Sequence, residues 1–211
     1  MPGKPLNLDE AARLTRTGDI WIFRGRAAAD LIVQSLTNSP VNHVGMAVAL
    51  EDLPPLMWHA ELGRSLPDLW TGRHQRGVQL HDLCDAVRVW VNKYGQRAWL
   101  RQLDPPATPQ MEDAVLRTIA RLDGTPFPSS AQMAWRWLYG RVPGQAQARA
   151  AGDLRTVYCA EVVAMTYEAM CLLPAKRNPS WYDPGRFWSG DALQLMGGAL
   201  LGEEIAVTVD R

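Results

Sequence analysis

Large and small side chains alternate between residues 43 and 50, and this alternation predicts a β-strand. The large residues of one face are Val44, Met46, Val48 and Leu50, and the small residues of the other face are Gly45, Ala47 and Ala49. The turn-forming pair Pro54-Pro55 follows, and residues 56–62 have the composition of a second strand. The region therefore predicts a β-hairpin.

Other segments have the short apolar pattern of strands or the longer periodicity of helices. The expected strands are 20–23, 87–91, 99–103 and 205–209. The expected helices are 1–17, 28–36, 109–122, 129–138 and 159–173. Strands dominate the first half and helices the second. This order predicts a single α+β domain over residues 1–211, with an antiparallel sheet packed against helices.

Composition narrows the functional classes. The 211 residues are 47% hydrophobic and 21% charged, which is typical of a globular protein, and the formal net charge is zero. The bases are scattered, so we expect no nucleic-acid binding. No apolar run approaches the ~18 residues of a membrane span, and the N-terminus lacks a signal-like apolar segment. We expect a cytoplasmic protein, and three cysteines without CxxC spacing fit that compartment.

Cys159 is the strongest candidate nucleophile among the cysteines. It precedes an apolar helical run, so we expect it in the first turn of a helix, where unpaired N–H groups and the helix dipole favour a thiolate. The alternative is a buried thiol that only packs in the core. Cys84 and Cys171 have no base beside them in sequence, and Cys171 is expected to pack in the core.

His43 begins the strand whose small face carries Gly45 and Ala47. Small residues allow another element to approach a sheet closely, so we expect the helix of Cys159 to dock on this face and bring the thiol to the imidazole. The alternative is a partly buried imidazole whose hydrogen bonds are made by the backbone.

A third polar residue is expected beside His43. His59 and Glu61 lie two apart on the returning strand and share a face with His43. Either side chain could accept a hydrogen bond from the second ring nitrogen of His43 and fix its tautomer. Counting the hairpin about Leu53 puts Glu61 nearer than His59, and the sequence leaves both possibilities open.

Metal binding is the competing use of the histidines. The four histidines are His43, His59, His74 and His81, and they form no HExxH motif. His81 lies in a polar stretch that resembles a turn. We therefore expect no metal and no organic cofactor.

Several short motifs together resemble the NlpC/P60 papain-like superfamily. His43-Val44-Gly45-Met46 and Trp58-His59-Ala60 are similar to its His-Val-Gly-Ile and His-Ala strand motifs, and Gly18-Asp19-Ile20 is similar to its Gly-Asp strand. Tyr158-Cys159-Ala160-Glu161 resembles a Cys-Ser-Glu element, with Ala160 in place of the serine. The cysteine follows the histidine by 116 residues, an order similar to the circularly permuted branch of YiiX/YebB-like amidases and lecithin:retinol acyltransferase relatives.

The resemblance implies a circularly permuted papain-like fold and assigns roles to residues. Cys159 would be the nucleophile, His43 the base and His59 the orienting residue, with Glu61 as its substitute. The implied activity is that of a cysteine-dependent hydrolase, amidase- or peptidase-like, that acts through an acyl-enzyme on an amide, ester or thioester. An acyltransferase and a catalytically idle peptide- or lipid-binding module are the alternatives. The expected partner is a small-molecule, peptide or lipid-like acyl substrate.

Overall fold

A central sheet organises the described part of the chain. The computed structural model describes residues 4–26, 39–51, 53–61, 63–124, 154–175 and 179–210. The strands of the sheet are β1 (Leu6–Asn7), β2 (Ile20–Arg24), β3 (His43–Val48), β4 (Leu56–Glu61), β5 (Gly77–Asp82), β6 (Arg97–Arg101) and β9 (Ile205–Thr208). Within the described ranges their order is β1-β9-β6-β2-β3-β4-β5. Among these described strands only β1 and β9 pair in parallel, and the other neighbours are antiparallel. Two short strands, β7 (Leu103–Asp104) and β8 (Leu200–Leu201), pair separately.

Four α-helices accompany the sheet in the described residues. They are α1 (Leu8–Leu14), α2 (Leu83–Arg88), α3 (Pro109–Leu122) and α4 (Leu154–Ala169). The N-cap residue Thr108 accepts a hydrogen bond from the backbone N–H of Met111 at 3.3 Å, and Pro109 occupies the first helical position, where its missing N–H costs nothing. α2 continues into a π-helical turn, Val89–Lys93.

The two faces of the sheet bury different sets of side chains. Val44 and Met46 belong to the core cluster that contains Cys159 of α4, and α3 packs beside α4 on this face. The opposite face packs with α1, α2 and Trp90. The expectation that the helix of Cys159 docks on the small-residue face of β3 is therefore wrong: α4 covers the face of the large residues. Broad apolar side chains offer α4 more surface to bury than a row of small ones.

Two buried hydrogen bonds hold α4 in place on the sheet. The Trp58 indole N–H of β4 donates to Thr166 Oγ1 at 3.1 Å. The Tyr167 hydroxyl donates to the Gly18 carbonyl at 2.6 Å. Because buried polar groups need partners, these bonds restrict how α4 can slide along the sheet. They set the position of Cys159 relative to β3.

The α+β class with a mostly antiparallel sheet packed against helices is confirmed, and α3 has the expected bounds. The expected helices at 28–36 and 129–138 lie outside the described residues. The expected strand at 87–91 is wrong, because this segment is the end of α2 and the π-helical turn. The buried residues of this region recur at helical spacing: Leu83, Ala86, Val87 and Trp90. That spacing outweighs the β-propensity of its valines.

The helix of Cys159 also differs from expectation at both ends. It begins at Leu154 rather than at Cys159, and it ends at Ala169 rather than at Leu173. Asp153 precedes Leu154 in the sequence, and aspartate is a preferred N-cap residue, so a signal for the earlier start was present. At the other end, Cys171 has a φ of 59°, in the left-handed region that terminates helices.

Candidate active site

Two of the expected site residues, His43 and His59, contact each other on one face of the sheet. His43 Nε2 lies 3.1 Å from His59 Nδ1, and both side chains are buried, with 1% and 0% exposure. The register of β3 and β4 pairs Met46 with Trp58 and Ala47 with Met57, so the paired numbers sum to 104. An even sum places His43 and His59 on the same face, as the sequence predicted. Of the two expected partners, His59 makes this hydrogen bond to His43.

A third histidine extends the pair. His59 Nε2 lies 2.9 Å from His81 Nδ1, and His81 is also buried. The expectation of a turn at His81 is wrong, because His81 lies in β5, where it pairs with Met57 of β4. The signal for this strand was the alternation of Val78 and Leu80 with polar residues, which has the two-residue period of a strand. His43, His59 and His81 thus form a continuous hydrogen-bonded chain, called the histidine chain below.

Gly45 provides the room in which the histidine chain is packed. A Cβ atom built on Gly45 would lie 2.4 Å from Met57 Sδ and 3.3 Å from His59 Cβ. Real Cβ atoms do not approach other atoms as closely as the first of these distances. The glycine in the small face of β3 therefore makes space for Met57 and His59, and not for α4.

Trp90 holds the ring of His43 from the other side. The two ring centroids are 3.8 Å apart and the planes differ by 13°, which is a stacked arrangement. Trp90 comes from the π-helical turn after α2, the segment that was expected to be a strand. The indole restricts rotation of the imidazole about χ2 and excludes water from its face.

Burial keeps two of the three rings neutral. Burial lowers the pKa of His59 well below 6.5, and the neighbouring His81 and His43 lower it further. Burial also lowers the pKa of His81 from 6.5 to about 4, although the Asp68 carboxylate opposes the change. At neutral pH both rings therefore carry one proton each and no charge.

Cys159 lies on the other face of the sheet, in the second turn of α4. The expected thiolate at a helix start is wrong on both counts. The first four N–H groups of a helix lack internal partners, and Cys159 comes after them. Its side chain is fully buried, and burial raises the pKa of the thiol from 9.0 to about 12. The thiol is therefore protonated at neutral pH.

The surroundings of the sulfur still include groups that stabilise negative charge. Hydrogen bonds from the backbone N–H groups of Val44, Ala160 and Cys159 itself act to lower the thiol pKa. The negative charge of Asp183 acts in the opposite direction. Val44 directly follows His43 in β3, so the backbone of the histidine strand reaches the sulfur.

Two cavities border the site. The first, of about 280 Å³, lies on the face of the histidine chain and is lined by His43, Ala60, Glu61, Arg64, Ser65, Trp90, Lys93 and Tyr94. The second, of about 480 Å³, includes Asp183, whose charge acts on the Cys159 thiol. Glu61, the other expected partner of His43, lies at the edge of the first cavity, and its backbone carbonyl accepts a hydrogen bond from the Gln79 side chain. Each face of the sheet thus has open space near one of the expected residues.

The other two cysteines lie in different environments. Cys171 is exposed, so the expectation that it packs in the core is wrong. Cys84 is half-buried, and burial together with Asp82 raises the pKa of its thiol.

No group of three or more His, Cys, Asp or Glu side chains is arranged to hold a metal ion in the described ranges. No helix in those ranges is long and apolar enough to cross a membrane.

Comparison with known proteins finds similarity to a solved structure. No protein-family model matches the chain, and no curated protein matches it. Among solved structures, the chain is similar to the metalloprotein YiiX from Escherichia coli O157:H7 (DUF1105), with 19% sequence identity and a TM-score of 0.45. The similarity covers 73% of this chain and 65% of that one, so the chain spans less than two thirds of the length of YiiX. The α+β class rests on the strands and helices described above.

Proposed function

We propose that this protein is a cysteine-dependent hydrolase that forms an acyl-enzyme on Cys159, with His43 as the base and His59 as the residue that orients it. The observation that carries the proposal is the hydrogen bond of 3.1 Å between His43 Nε2 and His59 Nδ1, together with the contact of the Val44 N–H with the sulfur. Because Nε2 of His43 faces His59, Nδ1 is the ring nitrogen left to accept a proton. Cys159 lies on the other face of the sheet, so the proposal requires that the sulfur moves past the start of β3 to reach this nitrogen.

The proposed reaction starts from a neutral thiol. With a thiol pKa of about 12, proton transfer from Sγ to His43 accompanies attack on the substrate carbonyl. The sulfur–carbon bond forms, and the carbonyl oxygen takes the negative charge. Collapse of this intermediate expels the leaving group, which receives the proton from His43. Water then attacks the thioester with His43 again as base, and releases the acid and the free thiol.

The backbone N–H of Val44 is the proposed donor to the negative charge that develops on the sulfur as its proton leaves. It already lowers the pKa of the thiol, so it stabilises charge at this position. The unpaired N–H groups at the helix start lie too far from the sulfur to stabilise charge at the reaction centre, because α4 begins five residues before Cys159. Since Cys159 is fully buried, the proposal requires that substrate binding exposes the sulfur.

Turnover of an activated ester tests the proposal. para-Nitrophenyl acetate is a suitable probe, because release of nitrophenolate is coloured and the acetyl group is detected by mass on the modified cysteine. We expect repeated turnover that is lost in Cys159→Ala and retained in the matched control Cys171→Ala. Peptide mapping should find the acetyl group on Cys159. The proposal is wrong if Cys159→Ala turns over the ester as the native protein does, or if only Cys171 is acetylated.

A second acyl acceptor would complete the same reaction in place of water. Adding an amine or an alcohol to the assay and analysing the product distinguishes an acyltransferase from a hydrolase. A protein that accepts no acyl group from an ester, a thioester or a peptide amide is the idle binding module that the sequence left as an alternative.

A further inference from the structure

The two hydrogen bonds of the histidine chain must point in the same direction along the chain, and this direction is called its polarity below. A neutral imidazole has one N–H and one lone pair, on opposite nitrogens. Each of the two N···N contacts, of 3.1 Å and 2.9 Å, needs one proton between its nitrogens. If His81 Nδ1 is the acceptor, then His59 carries its proton on Nε2 and His43 carries its proton on Nε2. If His81 Nδ1 is the donor, His59 and His43 each carry their proton on Nδ1 instead.

The surroundings of His81 favour the first polarity. The negative charge of Asp68 and the backbone of Leu66 both favour a proton on the ring of His81. Asp68 is itself held in place, because its carboxylate accepts hydrogen bonds from the Leu80 N–H and from the backbone and hydroxyl of Thr71. Since Nδ1 of His81 faces His59, these groups act on the remaining nitrogen, Nε2. His81 Nε2 is buried and makes no well-aligned hydrogen bond with any described residue, so the local charge decides its protonation.

We propose that His81 is a positioning residue that holds the histidine chain in one polarity, with the proton of each ring on Nε2 and the lone pair of His43 on Nδ1. In this polarity His43 is ready to accept a proton from the thiol. In the opposite polarity, Nδ1 of His43 carries a hydrogen and cannot act as a base. The polarity itself is independent of the proposed function, and only its use in proton transfer from Cys159 rests on it.

Nitrogen NMR of the full-length protein measures the polarity directly. Long-range proton–nitrogen spectra of protein labelled with nitrogen-15 in histidine distinguish a protonated ring nitrogen from an unprotonated one. We expect His43, His59 and His81 to be Nε2–H tautomers at neutral pH. His74 supplies an internal reference, because its Nδ1 lies 3.1 Å from the Gly63 carbonyl, which can only accept, and so its neutral form carries the proton on Nδ1. A His43 ring with its proton on Nδ1 overturns the proposal.

Two variants separate the role of His81 in polarity from a role in packing. In His81→Asn the amide oxygen takes the place of Nδ1, as both atoms are bonded to Cγ, and the acceptor for His59 is kept. In His81→Leu a methyl group stands there and the acceptor is lost. We expect His43 to remain an Nε2–H tautomer in His81→Asn and to become a mixture of tautomers in His81→Leu. An unchanged tautomer in a folded His81→Leu protein also contradicts the proposal.

Ester turnover links the polarity to the reaction. We expect His81→Leu to lower kcat/KM for para-nitrophenyl acetate by roughly 10²-fold, and His81→Asn to lower it less, because the first loses the productive tautomer. A native protein with three Nε2–H rings that does not turn over the ester would refute the proposed function and leave the polarity intact. A protein that turns over the ester equally well with either substitution would refute the role of His81.

Discussion

Acid should destabilise the native protein through His81, because burial lowers its pKa from 6.5 to about 4. The unfolded chain binds a proton at this histidine below pH 6.5, whereas the native state resists protonation until about pH 4. The contribution of His81 to stability is therefore complete above pH 6.5 and is lost as the pH falls to 4. At ~1.4 kcal/mol per pKa unit, the loss is about 2 kcal/mol by pH 5 and about 3 kcal/mol at pH 4.

The comparison of the native protein with His81→Asn isolates this contribution. Burial raises the pKa of Asp19 from 3.8 to about 6, so Asp19 acts in the opposite direction over the same pH range. This effect is present in both proteins and cancels in their difference. Urea unfolding at pH 7, 5 and 4 gives the free energy of unfolding of each protein. We expect the advantage of the native protein over the variant to shrink by about 3 kcal/mol between pH 7 and pH 4.

The difference in the free energy of unfolding between the native protein and His81→Asn at each pH decides the acid series. Parallel stability curves for the native protein and His81→Asn would refute the assignment of His81 as a buried, neutral ring. Such a result would also remove the basis for a neutral histidine chain.

Three further predictions concern labelling and packing. Iodoacetamide should modify the exposed Cys171 well before the buried Cys159, and equal rates in the native protein, followed by mass mapping, would contradict the burial. Gly45→Ala should cost about 1–3 kcal/mol in urea unfolding, because the new Cβ lies 2.4 Å from Met57 Sδ; an unchanged stability would show that this region repacks freely. Arg101→Met should cost at least about 3 kcal/mol in the same assay, because the guanidinium donates to three backbone carbonyls at 2.6 to 2.8 Å; a loss below 1 kcal/mol would contradict its structural role.

The features that the sequence predicts correctly follow from the two-residue alternation of side chains in strands. His43 and His59 share a face because strand side chains alternate and the hairpin has an even register, and both facts follow from spacing alone. The choice between His59 and Glu61 could not be made in the same way. A hydrogen bond between strands depends on ring orientation as well as on register, and here Trp90 stacks on the ring of His43.

The parts that sequence reasoning missed depend on competing local signals. The polar neighbours of His81 predict a turn, whereas the alternation of Val78 and Leu80 with polar residues is the signal of the strand that the structure shows. The β-propensity of the valines in residues 87–91 favours a strand, although the helical spacing of the buried residues there places Trp90 in a helical turn. The protonated state of Cys159 depends on its distance from the helix start and on complete burial, and a short motif around a cysteine encodes neither.

The most direct test of the proposed mechanism is the rate at which Cys159 is acetylated in the native protein and in His43→Gln. Both proteins are treated with para-nitrophenyl acetate at neutral pH, and the acetyl group on each cysteine is followed by mass mapping over time. The exposed Cys171 in the same chain reports the intrinsic reactivity of a thiol without a base. We expect acetylation of Cys159 to fall by at least ~10²-fold in His43→Gln, and that of Cys171 to stay unchanged. Equal acetylation of Cys159 in both proteins would contradict the role of His43 and with it the proposed mechanism.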